Sequence, residues 1–217
     1  MKNELIILSG GMDSVTLLYE HKDNIALALT FDYGSNHNKR EITYAQFHCI
    51  KLGIEHIVVP LAFIGEHFKS SLLQGADAVP LGNYNDENMR STVVPFRNGI
   101  MLSIACGMAE SRGLKKVLIA NHFGDHSIYP DCRKDFIDAM SQAMQKGTYE
   151  GVEILAPYTM LNKTDIAIRG TKLGINYSYT YSCYKGGAIH CGECGTCTER
   201  KEAFKLAGIK DPTRYLK

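Results

Sequence analysis

Four of the seven cysteines in this 217-residue chain lie in one short stretch near the C-terminus. Cys183, Cys191, Cys194 and Cys197 have the spacing C-x7-C-x2-C-x2-C. Four thiolates complete a closed tetrahedral zinc site, and C-x2-C turns present pairs of thiolates to such an ion. An iron–sulfur cluster accepts the same four donors, whereas a redox site needs only two of them. The spacing favours structural zinc, with the cluster and thiol chemistry as alternatives.

The tail around these cysteines is rich in glycine and tyrosine and lacks the apolar pattern of the preceding chain. We expect a bound metal to supply folding energy to a segment too short and polar to bury its own core. This role would be structural and remote from any phosphate chemistry. His190 adjoins Cys191, but four cysteines already saturate the metal, so His190 is not an expected ligand.

A glycine-rich loop, "LSGGMDS" from Leu8 to Ser14, follows an apolar strand and precedes a helix that Asp13 or Ser14 could cap. Its glycines let the backbone approach an anion, and the helix N-terminus favours negative charge. The loop lacks the lysine of a Walker A sequence and the spacing of G-x-G-x-x-G, so it is a different phosphate loop or an ordinary turn. Asp13 would lie near the phosphates through Mg²⁺, which prefers oxygen ligands. The predicted nucleotide-binding residues are Leu8, Ser9, Gly10, Gly11, Met12, Asp13, Ser14, Val15, Thr16, Leu17 and Leu18.

Three further segments carry charged residues at places where a helix begins or a strand ends. Arg97 begins a helix and is a permanent cation suited to phosphate or carboxylate. Asp131 and Arg133 follow a strand in "YPDCR". Lys163 also begins a helix, where its charge opposes the helix dipole, and phosphate binding would explain its presence. The predicted catalytic residues are Asp13, Arg97, Asp131, Arg133 and Lys163.

Apolar runs of strand length alternate with segments of helical period, which predicts βαβ units and a parallel sheet. The predicted strands are residues 4–8, 25–31, 56–59, 117–120 and 152–155. The predicted helices begin near residue 13 and span residues 40–52, 98–112, 134–144 and 163–173. Residues 65–90 have no clear period, as is typical of a functional or mobile connection. The pattern predicts a doubly wound α/β domain over residues 1–176 and a small cysteine module over residues 177–217.

Ligands of doubly wound sheets bind at the carboxyl ends of the strands. Residues 30–33, which end the second predicted strand, are therefore placed to line an adenine pocket. His37 follows them, and a lone histidine there is expected to lie on the surface or in a loop.

The overall composition is that of an ordinary globular protein, with 45% hydrophobic and 22% charged residues. The net charge of +1 gives no argument for a nucleic-acid or membrane partner. The longest apolar runs are of strand length, and no secretory signal is expected. We expect a cytoplasmic protein, in which an odd number of cysteines fits structural disulfides poorly.

Six motifs occur in the order "LSGGMDS", "FDYGSNH", "VPFRNGIMLSIA", "YPDCRKDF", "YSCYKGGAIHCGECGTC" and "DPTRY". Together they resemble the 7-cyano-7-deazaguanine synthase (QueC) family of the PP-loop ATP pyrophosphatases, from about residue 5 to the C-terminus. Departures are Phe96 where the family often has glycine, Asn36 where it often has arginine, and Tyr181 where it often has tryptophan.

The resemblance implies a Rossmann-like fold of the adenine nucleotide alpha hydrolase kind, with a five-stranded parallel sheet. It implies queuosine biosynthesis, in which 7-carboxy-7-deazaguanine and ammonia become the nitrile by adenylation, amide formation and dehydration. ATP with Mg²⁺ would be the co-substrate, one structural Zn²⁺ would bind the four cysteines, and the protein would be a homodimer.

Two other readings remain open from the sequence. Another PP-loop enzyme, such as an amidotransferase synthetase or a tRNA-thiolating enzyme, would share the loop. Those that act on tRNA tend to carry a basic appendage and catalytic cysteines, which this chain does not show. A regulatory protein that kept a nucleotide fold is the alternative outside enzymes, but Asp13, Ser14 and Lys163 argue against it.

Overall fold

The computed structural model describes residues 2–82 and 87–217. Five parallel strands form one sheet in the order β3-β2-β1-β4-β5. The strands are β1 Glu4–Ile7, β2 Ile25–Asp32, β3 Glu55–Pro60, β4 Lys116–Leu118 and β5 Glu153–Leu155. The strand order reverses between β1 and β4, and ligands of doubly wound sheets bind at such a switch point. The predicted α/β fold with a five-stranded parallel sheet is confirmed.

Seven α-helices connect and follow these strands in the described part of the chain. They are α1 Met12–His21, α2 Asn38–Leu52, α3 Ala62–His67, α4 Arg97–Ser111, α5 Lys134–Gly147, α6 Lys163–Lys172 and α7 Gly195–Leu206. The sequence pattern predicts the start of α1 and the bounds of α2, α4, α5 and α6 to within three residues. It misses α3, which has six residues, and α7, which lies among the cysteines.

The central strands bury both of their faces, as expected for a parallel sheet covered by helices. In β1, Leu5 packs with α4 and α5, while Ile6 packs with α1, α2 and α6. In β4, Val117 and Leu118 divide between the same two cores. The first and last crossovers thus place helices on opposite faces, and the carboxyl ends of β1, β2 and β4 remain open for a ligand.

The segment of residues 65–90, which lacks a sequence period, folds onto the domain in its described part. Leu72, Leu73 and Val79 are buried in the core under α4. Leu81 forms an isolated bridge with Cys194. Residues 83–86 lie outside the described residues.

The tail from residue 177 wraps over the carboxyl edge of the sheet and joins both cores. Phe204 of α7 packs with Tyr177 on the α1 face, whereas the four clustered cysteines belong to the core on the α4 face. The fully buried Arg200 donates to Thr180 Oγ1 at 2.8 Å and to the Tyr177 carbonyl at 3.0 Å. The boundary between residues 176 and 177 stays a prediction.

One stretch of the described residues, Met89–Ser111, is long and apolar enough to cross a membrane by length and composition alone. Half of it is buried inside the protein, and its helix α4 packs against β1 and β4. This stretch therefore has the position of a core helix. It is longer than the strand-length apolar runs that are expected from the sequence.

Helix α6 lies so close to α1 that Gly170 has no room for a side chain. A Cβ at this position would overlap the Tyr177 hydroxyl, which hydrogen-bonds to Thr16 Oγ1 at 2.8 Å. The small residue therefore fixes the distance between the helix that follows the glycine-rich loop and the helix that begins at Lys163.

We expect Gly170→Ala to lower the free energy of unfolding by about 1–3 kcal/mol, because overpacking displaces Tyr177. Gly107→Ala is the matched control: Gly107 is exposed within α4, and a Cβ added there would meet no atom within 4 Å. There alanine should stabilise the helix by up to about 1 kcal/mol. Urea denaturation measures both; a Gly170→Ala protein as stable as the Gly107→Ala protein would contradict the close packing of α6.

Candidate active site and metal centre

The glycine-rich loop is held by its own serines and by a close contact with α2. Ser9 Oγ lies 3.0 Å from Ser14 Oγ, and the Gly11 amide donates to Ser9 Oγ at 3.2 Å. Gly10 has a φ of +84°, and a Cβ there would overlap the backbone carbonyl of Glu41. Only glycine satisfies both constraints, so the conformation of the loop depends on Gly10.

A cavity of about 210 Å³ opens at the carboxyl ends of β1, β2 and β4. Of the predicted nucleotide-binding residues, six line it: Leu8, Ser9, Gly11, Met12, Asp13 and Ser14. Gly10 supports the loop from behind, and Thr16 hydrogen-bonds to Tyr177. Val15, Leu17 and Leu18 pack in the core. Six of the eleven predicted residues thus line the cavity, and the other five support the loop or pack in the core.

Asp13 and Lys163 meet inside the cavity, although 150 residues separate them. The cap of α1 is Gly11 rather than Asp13 or Ser14, which leaves the Asp13 carboxylate directed towards Lys163, 3.5 Å from its ammonium. Helix α6 begins at Lys163 because Asn162 and Asp165 form a reciprocal capping box. Both residues are predicted from the sequence, and the structure brings them together.

Glu199 of α7 completes this charged group from the cysteine module. Its Oε2 accepts a hydrogen bond from Lys163 Nζ at 2.5 Å. Burial lowers the pKa of Lys163, but the carboxylates of Asp13, Glu199 and Asp125 outweigh it and hold the pKa above its usual value. Lys163 is therefore an ammonium ion. Glu199 is not predicted from the sequence, because the cysteine module is expected to be remote from phosphate chemistry.

His122, which is almost fully buried, lies at the centre of three carboxylates. Its Nε2 is 3.9 Å from Asp13, 3.6 Å from Asp125 and 3.8 Å from Glu199. Its Nδ1 accepts from the Gly124 amide at 3.0 Å, so the ring proton is on Nε2 and faces the carboxylates. The position of His122 four residues after β4 is the one sequence signal that could have identified it.

The Asp13 carboxylate has a free acceptor. Asp13 Oδ1 is buried and has no hydrogen-bond partner among the described residues. A buried carboxylate oxygen without a donor is costly, and a divalent cation would satisfy it. The arrangement fits a Mg²⁺ ligand at Asp13.

Arg97 lines the same cavity and donates to the Tyr33 hydroxyl at 3.2 Å. His37 lies beside it in the loop before α2, as expected, but it is buried rather than on the surface, with only 3% exposed. Burial and the charge of Arg97 lower the pKa of His37 to about 4, so His37 is neutral. Its loop folds inward because Asn38 Oδ1 accepts from the amides of Tyr33 and Ser35.

Asp131 and Arg133 do not line the cavity, although Cys132 between them does. Asp131 is buried and accepts from the Asn98 amide at 2.8 Å, so it caps the first turn of α4, which carries Arg97. Arg133 is exposed and donates to the His126 carbonyl. Their catalytic roles stay predictions, and the contacts indicate support for α4 and its neighbouring loop.

The four cysteines of the tail form one buried cluster. The sulfur atoms of Cys183, Cys191, Cys194 and Cys197 all lie within 4.8 Å of one another. The Cys194 amide donates to Cys191 Sγ at 3.3 Å, and such contacts orient thiolates around a metal. His190 is not in the cluster, since its Nε2 accepts from the Ser182 amide. A group of four sulfur donors fits a closed site for a metal such as zinc.

The family model described as "Queuosine biosynthesis protein QueC" matches residues 3–208. The chain belongs to the QueC family. A relative from Porphyromonas gingivalis is 62% identical over 99% of this chain and 97% of its own length, and it is named "7-cyano-7-deazaguanine synthase". QueC relatives of the same name from Desulfotalea psychrophila and Caldicellulosiruptor bescii are each 49% identical. The match with the first covers 100% of this chain and 100% of the relative. The match with the second covers 97% of this chain and 96% of the relative. The family resemblance of the six motifs is confirmed.

A solved structure titled "Structure of NMN synthetase from Francisella tularensis" is similar in fold to this QueC chain. The TM-score is 0.53, and the match covers 96% of this chain and 78% of the other. Sequence identity is 14%, so this likeness supports the fold alone.

We expect the purified protein and its Cys106→Ala variant to contain about one zinc ion per chain, and Cys194→Ala to contain none. Cys106 is a matched control because it is a buried cysteine of α4 outside the cluster. Loss of the metal should also lower the Tm, because the tail then loses its cross-link. Elemental analysis by mass spectrometry measures the content; iron in place of zinc, or zinc retained by Cys194→Ala, would contradict the assignment.

Proposed function

We propose that this QueC-family protein is a ligase that forms 7-cyano-7-deazaguanine from 7-carboxy-7-deazaguanine, ammonia and ATP. The observation that carries the proposal is the meeting of the glycine-rich loop, Asp13 and Lys163 in one cavity of a chain whose relatives bear that enzyme's name. The loop and the cations suit a nucleotide's phosphates, and the cavity continues beyond them.

The reaction consists of two activations of the same carbon atom. A carboxylate oxygen attacks the α-phosphorus of ATP, and pyrophosphate leaves. Ammonia then attacks the acyl adenylate, and AMP leaves with that oxygen, which gives the amide. A second ATP activates the amide oxygen in the same way. Loss of AMP and of the remaining protons on nitrogen forms the C≡N bond, so both carboxylate oxygens leave as AMP.

No protein nucleophile is required, so the residues act by positioning and charge neutralisation. The amides and serine hydroxyls of the loop bind phosphate oxygens. The Lys163 ammonium offsets the negative charge that develops on the leaving pyrophosphate. Asp13 would hold Mg²⁺, which supplies further neutralisation of the phosphates when it is bound.

Glu199 acts through Lys163 as a positioning residue. Its short contact holds the ammonium beside Asp13, and both side chains are largely buried. Because α7 begins within the cysteine cluster, a metal there would fix the position of this carboxylate as well as fold the tail. A cytoplasmic location, a homodimer and the absence of nucleic-acid partners remain predictions.

Incubation with 7-carboxy-7-deazaguanine, ammonia and ATP should yield the nitrile and AMP, detected by mass spectrometry. We expect Asp13→Asn to lower kcat/KM by about 100-fold or more, as for loss of a group that stabilises phosphate charge. Asp23→Asn, at an exposed position, should be unaffected. Full activity of Asp13→Asn, or AMP formation only with a different acid substrate, would contradict the proposal.

We expect Glu199→Gln to lower kcat about 10-fold, with zinc content and Tm unchanged, because the amide binds Lys163 less tightly than the carboxylate does. Glu202→Gln is the matched control, since Glu202 is exposed on the same helix. Steady-state kinetics and metal analysis on both variants separate the two roles. If Glu199→Gln loses zinc in parallel with activity, Glu199 supports the fold rather than Lys163.

A further inference from the structure

The cavity has a second group of lining residues besides those around the phosphate loop: Tyr33, His37, Glu41, Arg97 and Tyr184. Two of them bear an acidic and a basic group, Glu41 from the first turn of α2 and Arg97 from the first residue of α4. No salt bridge joins them in the described structure, although Arg97 lies close enough to lower the pKa of Glu41 by its charge. They are therefore available to a ligand.

Glu41 is a mostly buried carboxylate that lacks donors. Its side chain is 16% exposed, and no hydrogen bond to its carboxylate is found in the described part of the chain. His37 Nε2 lies 3.8 Å from Glu41 Oε2, and His37 is neutral. Burial raises the pKa of Glu41 to about 8, although Arg97 acts in the opposite direction. Helix-dipole stabilisation alone would not require this burial, because an exposed carboxylate in the first turn provides it equally.

Arg97 is a cation with unused donors. Among the described residues its guanidinium donates only to the Tyr33 hydroxyl, and it forms no salt bridge. A guanidinium has five N–H groups arranged to bind a carboxylate or phosphate through two parallel hydrogen bonds. This side of the cavity therefore offers an acceptor pair at Glu41 and a donor fork at Arg97.

We infer that Glu41 is the residue that selects the deazaguanine ring: its carboxylate accepts from the ring N–H and the exocyclic amine, while Arg97 binds the 7-carboxylate. The inference rests on the proposed function. In this ring the two-donor edge and the 7-carboxylate are on opposite sides, which matches a site with an acceptor and a cation at separate positions. The reacting carboxylate at Arg97 would then face the α-phosphate of ATP.

The same chemistry excludes adenine as the partner of Glu41. The Watson–Crick edge of adenine presents one donor and one acceptor, so a carboxylate would meet a ring nitrogen lone pair. The guanine-type edge presents two adjacent donors, which a carboxylate binds without repulsion. Glu41 thus distinguishes the two ring systems that must occupy one cavity during the reaction.

The direct test compares wild type, Glu41→Gln and the exposed control Glu66→Gln. Calorimetry with 7-carboxy-7-deazaguanine alone measures its Kd, and steady-state kinetics measure the KM of ATP. We expect Glu41→Gln to weaken deazaguanine binding by about 10- to 100-fold, the range for hydrogen bonds to a charged group, with the KM of ATP unchanged. Glu66→Gln should change neither value, because Glu66 is exposed.

A second arm uses an analogue that lacks the exocyclic amine, 7-carboxy-7-deazahypoxanthine. It should bind wild type more weakly by a similar factor, with little further loss in Glu41→Gln, because both changes remove the same contact. Independent, multiplicative losses would overturn the inference, as would a raised KM for ATP with unchanged deazaguanine binding. Wild type that binds the ring compound but forms no nitrile would contradict the proposed function and leave Glu41's role standing. The wild-type arm with the analogue also keeps the inference testable if a variant fails to fold.

Discussion

The contact of Lys163 with Asp13 and Glu199 joins three parts of the chain that are far apart in sequence. Asp13 comes from the first βα turn, Lys163 from the last helix of the sheet domain, and Glu199 from the cysteine module. An ammonium buried in this way needs its carboxylates, because an unpaired buried charge costs several kcal/mol. The three elements must therefore assemble together to form this side of the cavity.

This arrangement changes the meaning of the cysteine cluster. From its sequence the module is assigned to folding alone, apart from phosphate chemistry. In the structure, Glu199 is two residues beyond Cys197 and contacts Lys163, and Tyr181, Ser182, Tyr184 and Thr196 line the cavity. The buried Arg200, which bonds to Tyr177 and Thr180, continues the attachment along α7. In the proposed reaction a metal at the cysteines would fix one wall of the site and take no part in the bond changes.

The sequence predicts what depends on local pattern. Strand-length apolar runs predict the parallel sheet, and the loop from Leu8 to Ser14 predicts the switch-point cavity. Cysteine spacing predicts the cluster. Contacts between distant segments are not accessible in the same way: the burial of His37 depends on Asn38 and the tail, and Glu199 has no motif of its own. Helix α7 is missed because its glycine and cysteine conceal its apolar positions.

The backbone geometry of Phe96 also depends on contacts that the local sequence does not predict. It has a φ of +51°, which few non-glycine residues adopt, directly before Arg97. Its ring contacts Phe136, and Asp131 caps the following turn, so the surrounding packing holds the strained residue in place. Neighbours that the local sequence does not reveal therefore accommodate Phe96 at a position where the family resemblance predicts glycine.

The central claim is that the cavity activates a carboxylate by attaching it to the α-phosphorus of ATP. Labelling both carboxylate oxygens of 7-carboxy-7-deazaguanine with ¹⁸O and analysing the products by mass spectrometry tests this claim most directly. The account predicts that each AMP formed carries one ¹⁸O atom and that pyrophosphate carries none. Label in inorganic phosphate or pyrophosphate, with none in AMP, would contradict it.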